Sequence, residues 1–284
     1  MYERILLAVD ARRVAASAVL VVAELAQGSG AEVLVVHVRD IERGLRTRYE
    51  ADQLVERTVA RLRSAGVKAR GEVRTISDGH VAEALLESAG RFGADLVALG
   101  SHGRSELGGL LLGSVGQRVA KGTAAAVMLV SGEEGRRTRR WPARIVTVLL
   151  AVDRSERAEA AIETALGLCR QHGATASVLY VEPVLESPDS ARRYVRAIVE
   201  RFRHAGVAAR AEGPGGVASV AIQIAEAAER RDADIVVIGS ARRGELAAIV
   251  MGSVARELVR VTTRPVLLAA KGVVSGREEA TPQV

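Results

Sequence analysis

Two short segments of the chain hold residue types that suit an anion. Gly100-Ser101-His102-Gly103-Arg104 follows directly on the apolar run Leu96–Leu99, and nine residues beyond Gly103 stands Gly113-Ser114-Val115. A glycine where a strand stops lets the backbone turn sharply and leaves no Cβ to hold a phosphate away. Gly113-Ser114 at the head of a helix, expected to begin at Val115, offers free N–H groups, a hydroxyl and the positive end of the helix dipole. The whole spacing, Gly-x2-Gly-x9-Gly-Ser after a strand, therefore fits a phosphate loop. Taken singly, each glycine pair serves equally well as a turn or a helix cap. His102 and Arg104 read either as exposed loop residues or as phosphate ligands.

Other chemistries are missing. There is no Gly-x-x-x-x-Gly-Lys-Ser/Thr loop, no Gly-x-Gly-x-x-Gly fingerprint and no Gly-x-Ser-x-Gly elbow. His37, His80, His102, His172 and His204 fall into no metal-ligand spacing. Asp10 and Asp153 are single acids at strand ends with no neighbouring lysine to complete a phosphoryl-transfer set. A binding protein rather than an enzyme is the expectation.

The elements that must position these residues come in duplicate. Ile5–Asp10 and Leu149–Asp153 are buried-strand patterns ending on an acid, each followed by an Ala-rich helical stretch, about 14–27 and 155–171. Gly28 and Gly173 are read as the helix stops. Second strands at Val33–Val38 and Ser177–Val181 lead to charged amphipathic helices that end in Ser64-Ala65-Gly66-Val67 and His204-Ala205-Gly206-Val207. Third strands are placed near Gly71–Ile76 and Ala208–Gly213, and further helices near 80–91 and 217–230. Gly239 and Gly252-Ser253-Val254 each stand 139 residues beyond Gly100 and Gly113-Ser114-Val115. Alternating strands and helices imply parallel sheets covered on both faces, with ligands beyond the carboxyl ends where strand order reverses. The expected organisation is domain 1 over 1–132, a linker over 133–142, domain 2 over 143–271 and a disordered tail over 272–284.

Composition agrees. The 284 residues are 48% hydrophobic but only 2% aromatic, so the cores must be aliphatic, as buried parallel strands require. The net charge of +6 comes almost wholly from Arg interspersed with Glu, with no aromatic stacking platforms, which argues against nucleic acid. The single cysteine, Cys169, excludes a disulfide framework and reads as a small buried hydrophobe. The N-terminal apolar run is too brief for a signal peptide and no stretch could span a membrane, so a cytoplasmic location without membrane contact is expected.

With the duplication and the acid ending strand one, the glycine spacing resembles the universal stress protein family in its ATP-binding subclass. The resemblance implies two tandem Rossmann-like domains of the adenine nucleotide alpha hydrolase-like kind, each a five-stranded parallel sheet with helices on both faces. It also implies pairing across the last strands, Ala126–Val130 and Val266–Ala270, as an internal pseudo-dimer, and leaves room for a homodimer. The cofactor it implies is ATP, with or without Mg. By the same resemblance Val9 and Asp10 belong to the nucleoside end and Val38, closing strand two, to the adenine pocket. Gly100, His102, Gly103 and Arg104 would surround the ribose and phosphates, and Gly113, Ser114 and Val115 would hold the phosphates.

The second copy supplies Val152, Asp153, Val181, Gly239, Gly252, Ser253 and Val254 at matching positions, but Arg242 replaces Gly103. Its side chain either fills phosphate space or binds phosphate through the guanidinium. Copy one has Ala11-Arg12 where the family has Gly-Ser; copy two keeps the serine as Ser155, a candidate helix cap. Copy two also keeps the family's proline before the last strand as Pro265. The functions that follow are ATP binding as a regulatory ligand in stress response, a nucleotide-independent interaction or dimerisation protein, and, third, a slow ATP hydrolase.

Overall fold

A computed structural model describes residues 1–10, 16–42, 47–101, 113–131, 144–180, 188–213, 218–242, 249–250 and 252–270. The first copy runs β1 (Arg4–Ala8), α1 (Ala16–Ser29), β2 (Glu32–Asp40), α2 (Arg48–Ser64), β3 (Lys68–Ile76), α3 (Val81–Phe92), β4 (Leu96–Ser101), α4 (Ser114–Gly122) and β5 (Ala126–Ser131). The second runs β6 (Thr147–Val152), α5 (Arg157–His172), β7 (Thr175–Tyr180), α6 (Pro188–His204), β8 (Ala209–Glu212), α7 (Val220–Arg230) and β9 (Ile235–Gly239). It continues through β10 (Ala241–Arg242), β11 (Ile249–Val250), α8 (Ser253–Val261) and β12 (Val266–Ala269).

Ten strands form one sheet in the order β3-β2-β1-β4-β5-β12-β9-β6-β7-β8. Within this sheet the pairings inside each copy are all parallel; the copies meet where β5 and β12 pair antiparallel, Val266 opposite Leu129 and Leu268 opposite Val127. The alternation of strand residues divides the core into two layers. Ile5, Leu7, Val33 and Val35 face one layer with Val22, Leu25, Val59 and Leu62. Leu6, Leu34 and Val36 face the other with Leu85, Phe92 and Val119. Both layers run on into the second copy, so the aliphatic composition fills one continuous double-sided core. Cys169 belongs to it, and burial pushes its thiol up to about 12.

Several boundaries shift from the sequence expectation. Helix α1 continues past Gly28, and the turn is made by Gly30 at φ 69°, while Gly173 does serve as the left-handed cap of α5. Gly28 is small for a different reason: a Cβ there would stand 2.5 Å from Gln171 Nε2 and 2.8 Å from a His172 ring carbon. It marks where the two copies touch. Around it Gln171 donates to the Leu25 carbonyl, His172 Nδ1 lies 3.1 Å from the Glu24 carboxylate, and that carboxylate accepts from the Ile145 N–H. Strand β2 extends to Asp40, so Val38 lies within it, and β3 begins at Lys68. Helices α3 and α7 begin at Val81 and Val220, α4 at Ser114 rather than Val115, and α5 at Arg157 rather than 155. The short antiparallel pair β10–β11 was not foreseen, and it contains Arg242. The proposed linker and tail lie outside the described residues.

Candidate functional site

In each copy the chain leaves its first strand toward one edge and returns to pair on the opposite side, so the order reverses at β1 and at β6. A crevice opens at the carboxyl ends at such a point. Ala8 pairs with Leu99, which brings the following Val9 and Gly100 side by side at the ends of β1 and β4. The same register in copy two, Ala151 opposite Ile238, does so for Val152 and Gly239. Helices α4 and α8 run back from this end of the sheet to the next strand, and their N-termini therefore face the same crevice.

Those N-termini are built alike. Gly113 and Gly252 occupy the N-cap positions, neither with a side-chain cap bond. Two other helix heads are closed by side chains, Thr47 and Glu50 forming a reciprocal capping box on α2 and Ser219 capping α7, whereas His80 of α3 and Glu156 of α5 make no cap bond. Ser114 and Ser253 are exposed, whereas Val115 and Val254 pack against the core and contribute their backbone alone. A Cβ at Gly252 would meet nothing within 4 Å, and its φ of −64° suits any residue. Packing and backbone geometry therefore do not account for this glycine. Gly239 is the opposite case, because a Cβ there would stand 2.7 Å from the Arg157 carbonyl oxygen on the first turn of α5.

The nucleoside ends differ. In copy one Val9 and the partly exposed Asp10 close β1, and the Val9 carbonyl lies 2.9 Å from Nδ1 of buried His37. Val38, the next residue of β2, is half-buried against the core. At the position of His37 copy two has Tyr180, whose ring meets Tyr194 of α6 edge-on at 5.5 Å. Tyr194 donates to the Asp153 carbonyl at 2.9 Å; burial, then the Asp153 charge, raises its hydroxyl above the usual tyrosine range. Asp153 turns its carboxylate onto the N–H and hydroxyl of Ser155. The Ser155 hydroxyl is 3.4 Å from the Arg157 N–H, so it reaches the head of α5 from one residue before the N-cap, Glu156.

Between them these elements bring Val9, Asp10, Val38, Gly100, Gly113, Ser114 and Val115 to one end of the first half-sheet. Val152, Asp153, Gly239, Gly252, Ser253 and Val254 take the same places in the second. Arg242 lies in β10, its backbone paired with Ile249. His102, Gly103, Arg104 and Val181 lie outside the described residues. Among the described residues no three His, Cys, Asp or Glu side chains are grouped to hold a metal ion, and no helix is long and apolar enough to cross a membrane.

The family model described as the universal stress protein family matches residues 1–131 and again 145–270. The chain belongs to the universal stress protein family. A Thermus aquaticus relative, named universal stress protein in QAH/OAS sulfhydrylase 3'region, is 34% identical over 140 residues, 46% of this chain and 99% of its own length. The crystal structure of a universal stress protein from Archaeoglobus fulgidus DSM 4304 is similar over 95% of this chain and 98% of that one. Its TM-score is 0.71 at 19% identity, a likeness of fold. Within this family member, Tyr180, Tyr194 and Arg154 are features the glycine motif did not bring out. Aligning the repeat would have exposed the first, since Tyr180 stands 143 residues beyond His37, as Asp153 does beyond Asp10.

Proposed function

We propose that this universal stress protein binds ATP in copy one and uses it as a regulatory ligand, without dedicated turnover. The observation that carries the reading is the head of α4, an exposed Ser114 on an uncapped Gly113 beside the strand-order reversal. Its first N–H groups and the helix dipole together favour a phosphate. Gly113 adds no side chain to compete for those donors, and Val9 with Asp10 borders the nucleoside end. ATP would supply charge and shape here, not a reacting bond. The chain's part is to hold phosphate at backbone N–H groups and the Ser114 hydroxyl while Val9, Asp10 and Val38 border the base and sugar.

Replacing Gly113 by Asp tests this directly. An aspartate at the N-cap accepts the same N–H bonds and repels phosphate, yet is a better cap than glycine. Calorimetry should show ATP affinity falling by about 100-fold, equivalent to about 3 kcal/mol, while thermal stability holds or rises slightly. Unchanged affinity would remove the site from α4. The second reading, an interaction protein that needs no nucleotide, draws on the β5–β12 pairing across which the two copies join. Purified protein, denatured and analysed for released nucleotide, separates the two: recovered ATP or AMP favours the first, and none, with no binding by calorimetry, favours the second.

A further inference from the structure

Arg154 directly follows Asp153 and is exposed, but its side chain folds back over the protein surface. Its guanidinium carbon lies 4.9 Å from the Tyr194 ring centre and 5.9 Å from that of Tyr180. Nη2 donates to the Ser190 carbonyl at 2.9 Å and to the Ser190 hydroxyl at 2.8 Å. One side chain thus bridges the end of β6, the end of β7 and the first turn of α6. Tyr194, stacked beneath it, is itself tied to the Asp153 carbonyl. Among the described residues, β6, β7 and α6 are thus tied together at this end of the crevice.

The position decides what such a bridge does. A ligand that rests an anion on the head of α8, near Gly252 and Ser253, and crosses the reversal at β6 must continue toward the end of β7. That is where the guanidinium lies. A planar cation over an aromatic face also takes the place in which a flat heteroaromatic ring would stack. We infer that Arg154 is the resident occupant of the base end of copy two, a side chain that closes this site to nucleotides until it is displaced. The inference rests on the reading of the crevice as a nucleotide site. It adds that the two copies differ in occupancy because of Arg154, independently of the Arg242 substitution.

The test uses the full chain, ATP as probe, and calorimetry for stoichiometry. The wild type should bind one ATP per chain tightly, Gly113→Asp only weakly, and Gly113→Asp with Arg154→Gly one tightly, now in copy two. Losing an arginine–aromatic stack and its hydrogen bonds should tighten copy two by about tenfold or more. Gly113→Asp binding one ATP as tightly as the double variant would overturn the inference, since copy two would already be open. So would a double variant that binds none while the wild type binds one. A wild type that binds none defeats the reading of copy one alone, because binding in the double variant reports only copy two. A second measurement needs no cavity-forming variant. The Arg154 side-chain resonances should be ring-current shifted in the wild type and normal in Tyr194→Leu, and unshifted wild-type resonances would overturn the stack.

Discussion

The two copies secure the same corner of the same fold with different side chains. In copy one the carbonyl of Val9 is met by His37, a compact ring that stays buried and leaves Asp10 at the edge. In copy two the carbonyl of Asp153 is met by Tyr194, reaching over from α6, with Tyr180 edge-on to it and Arg154 across both rings. Backbone topology and register are shared; the described side chains at the strand ends are not. A fold can therefore preserve the strands that wall a crevice while the side chains at their ends change.

The glycines sharpen the contrast, and they order the expected effects. The largest is the loss of ATP binding in Gly113→Asp, about 100-fold by calorimetry, with folding intact. Next, Gly239→Ala should destabilise copy two by about 1–3 kcal/mol in denaturant unfolding, because the new Cβ meets backbone that cannot swing aside. Gly252→Ser should instead be neutral or gain a few tenths of a kcal/mol, since open space surrounds it and serine caps a helix well. Equal losses for the two would show that both glycines are packing residues and would erase the distinction between them.

A pH effect of similar size tests the contact between the copies. His172 is buried between Glu24 and Gln171, and burial, outweighing the Glu24 carboxylate, holds its pKa below the ordinary value of about 6.5. The neutral ring satisfies both neighbours: Nδ1–H donates to Glu24, and Nε2 accepts from the Gln171 amide. Protonation would turn an N–H against that amide. The unfolded chain takes up the proton first, so this stability is present above pH 6.5 and is lost as pH falls toward the lowered folded value. The slope is at most about 1.4 kcal/mol per pH unit. His172→Gln should flatten the dependence of unfolding midpoint on pH between 5 and 7. An unaltered slope would place the sensitivity elsewhere.

The smallest effect concerns the swap of one side chain. Tyr194 occupies the helix position that Leu54 holds in copy one, counting back from the shared Ala-Gly-Val that ends each helix. Tyr194→Leu should loosen Arg154 and improve ATP binding in copy two by a few-fold, on the order of 1 kcal/mol. In Gly113→Asp this is measurable without interference from copy one.

Much of the fold was legible because its signals are local and doubled. Apolar runs that end on Asp10 and Asp153, and Gly-Ser at 113–114 and 252–253, locate strand ends and helix heads without tertiary information. Boundaries were less so. Gly28 reads as a helix stop, yet it is glycine because Gln171 and His172 of the other copy press on it, a constraint invisible in its own neighbourhood. The same holds for Arg154. In the sequence it is one arginine among many, and only the meeting of β6, β7 and α6 gives it two tyrosines and Ser190 to hold.

The antiparallel seam between β5 and β12 has an evolutionary consequence. When two identical chains pair about a two-fold axis, every substitution appears twice, and a change that closes one site closes both. Joining the halves in one polypeptide removes that coupling and also frees their association from protein concentration. His37 and Tyr180, or Gly103 and Arg242, could then diverge independently. The seam holds the halves together, and the covalent link between them is what lets them become unlike.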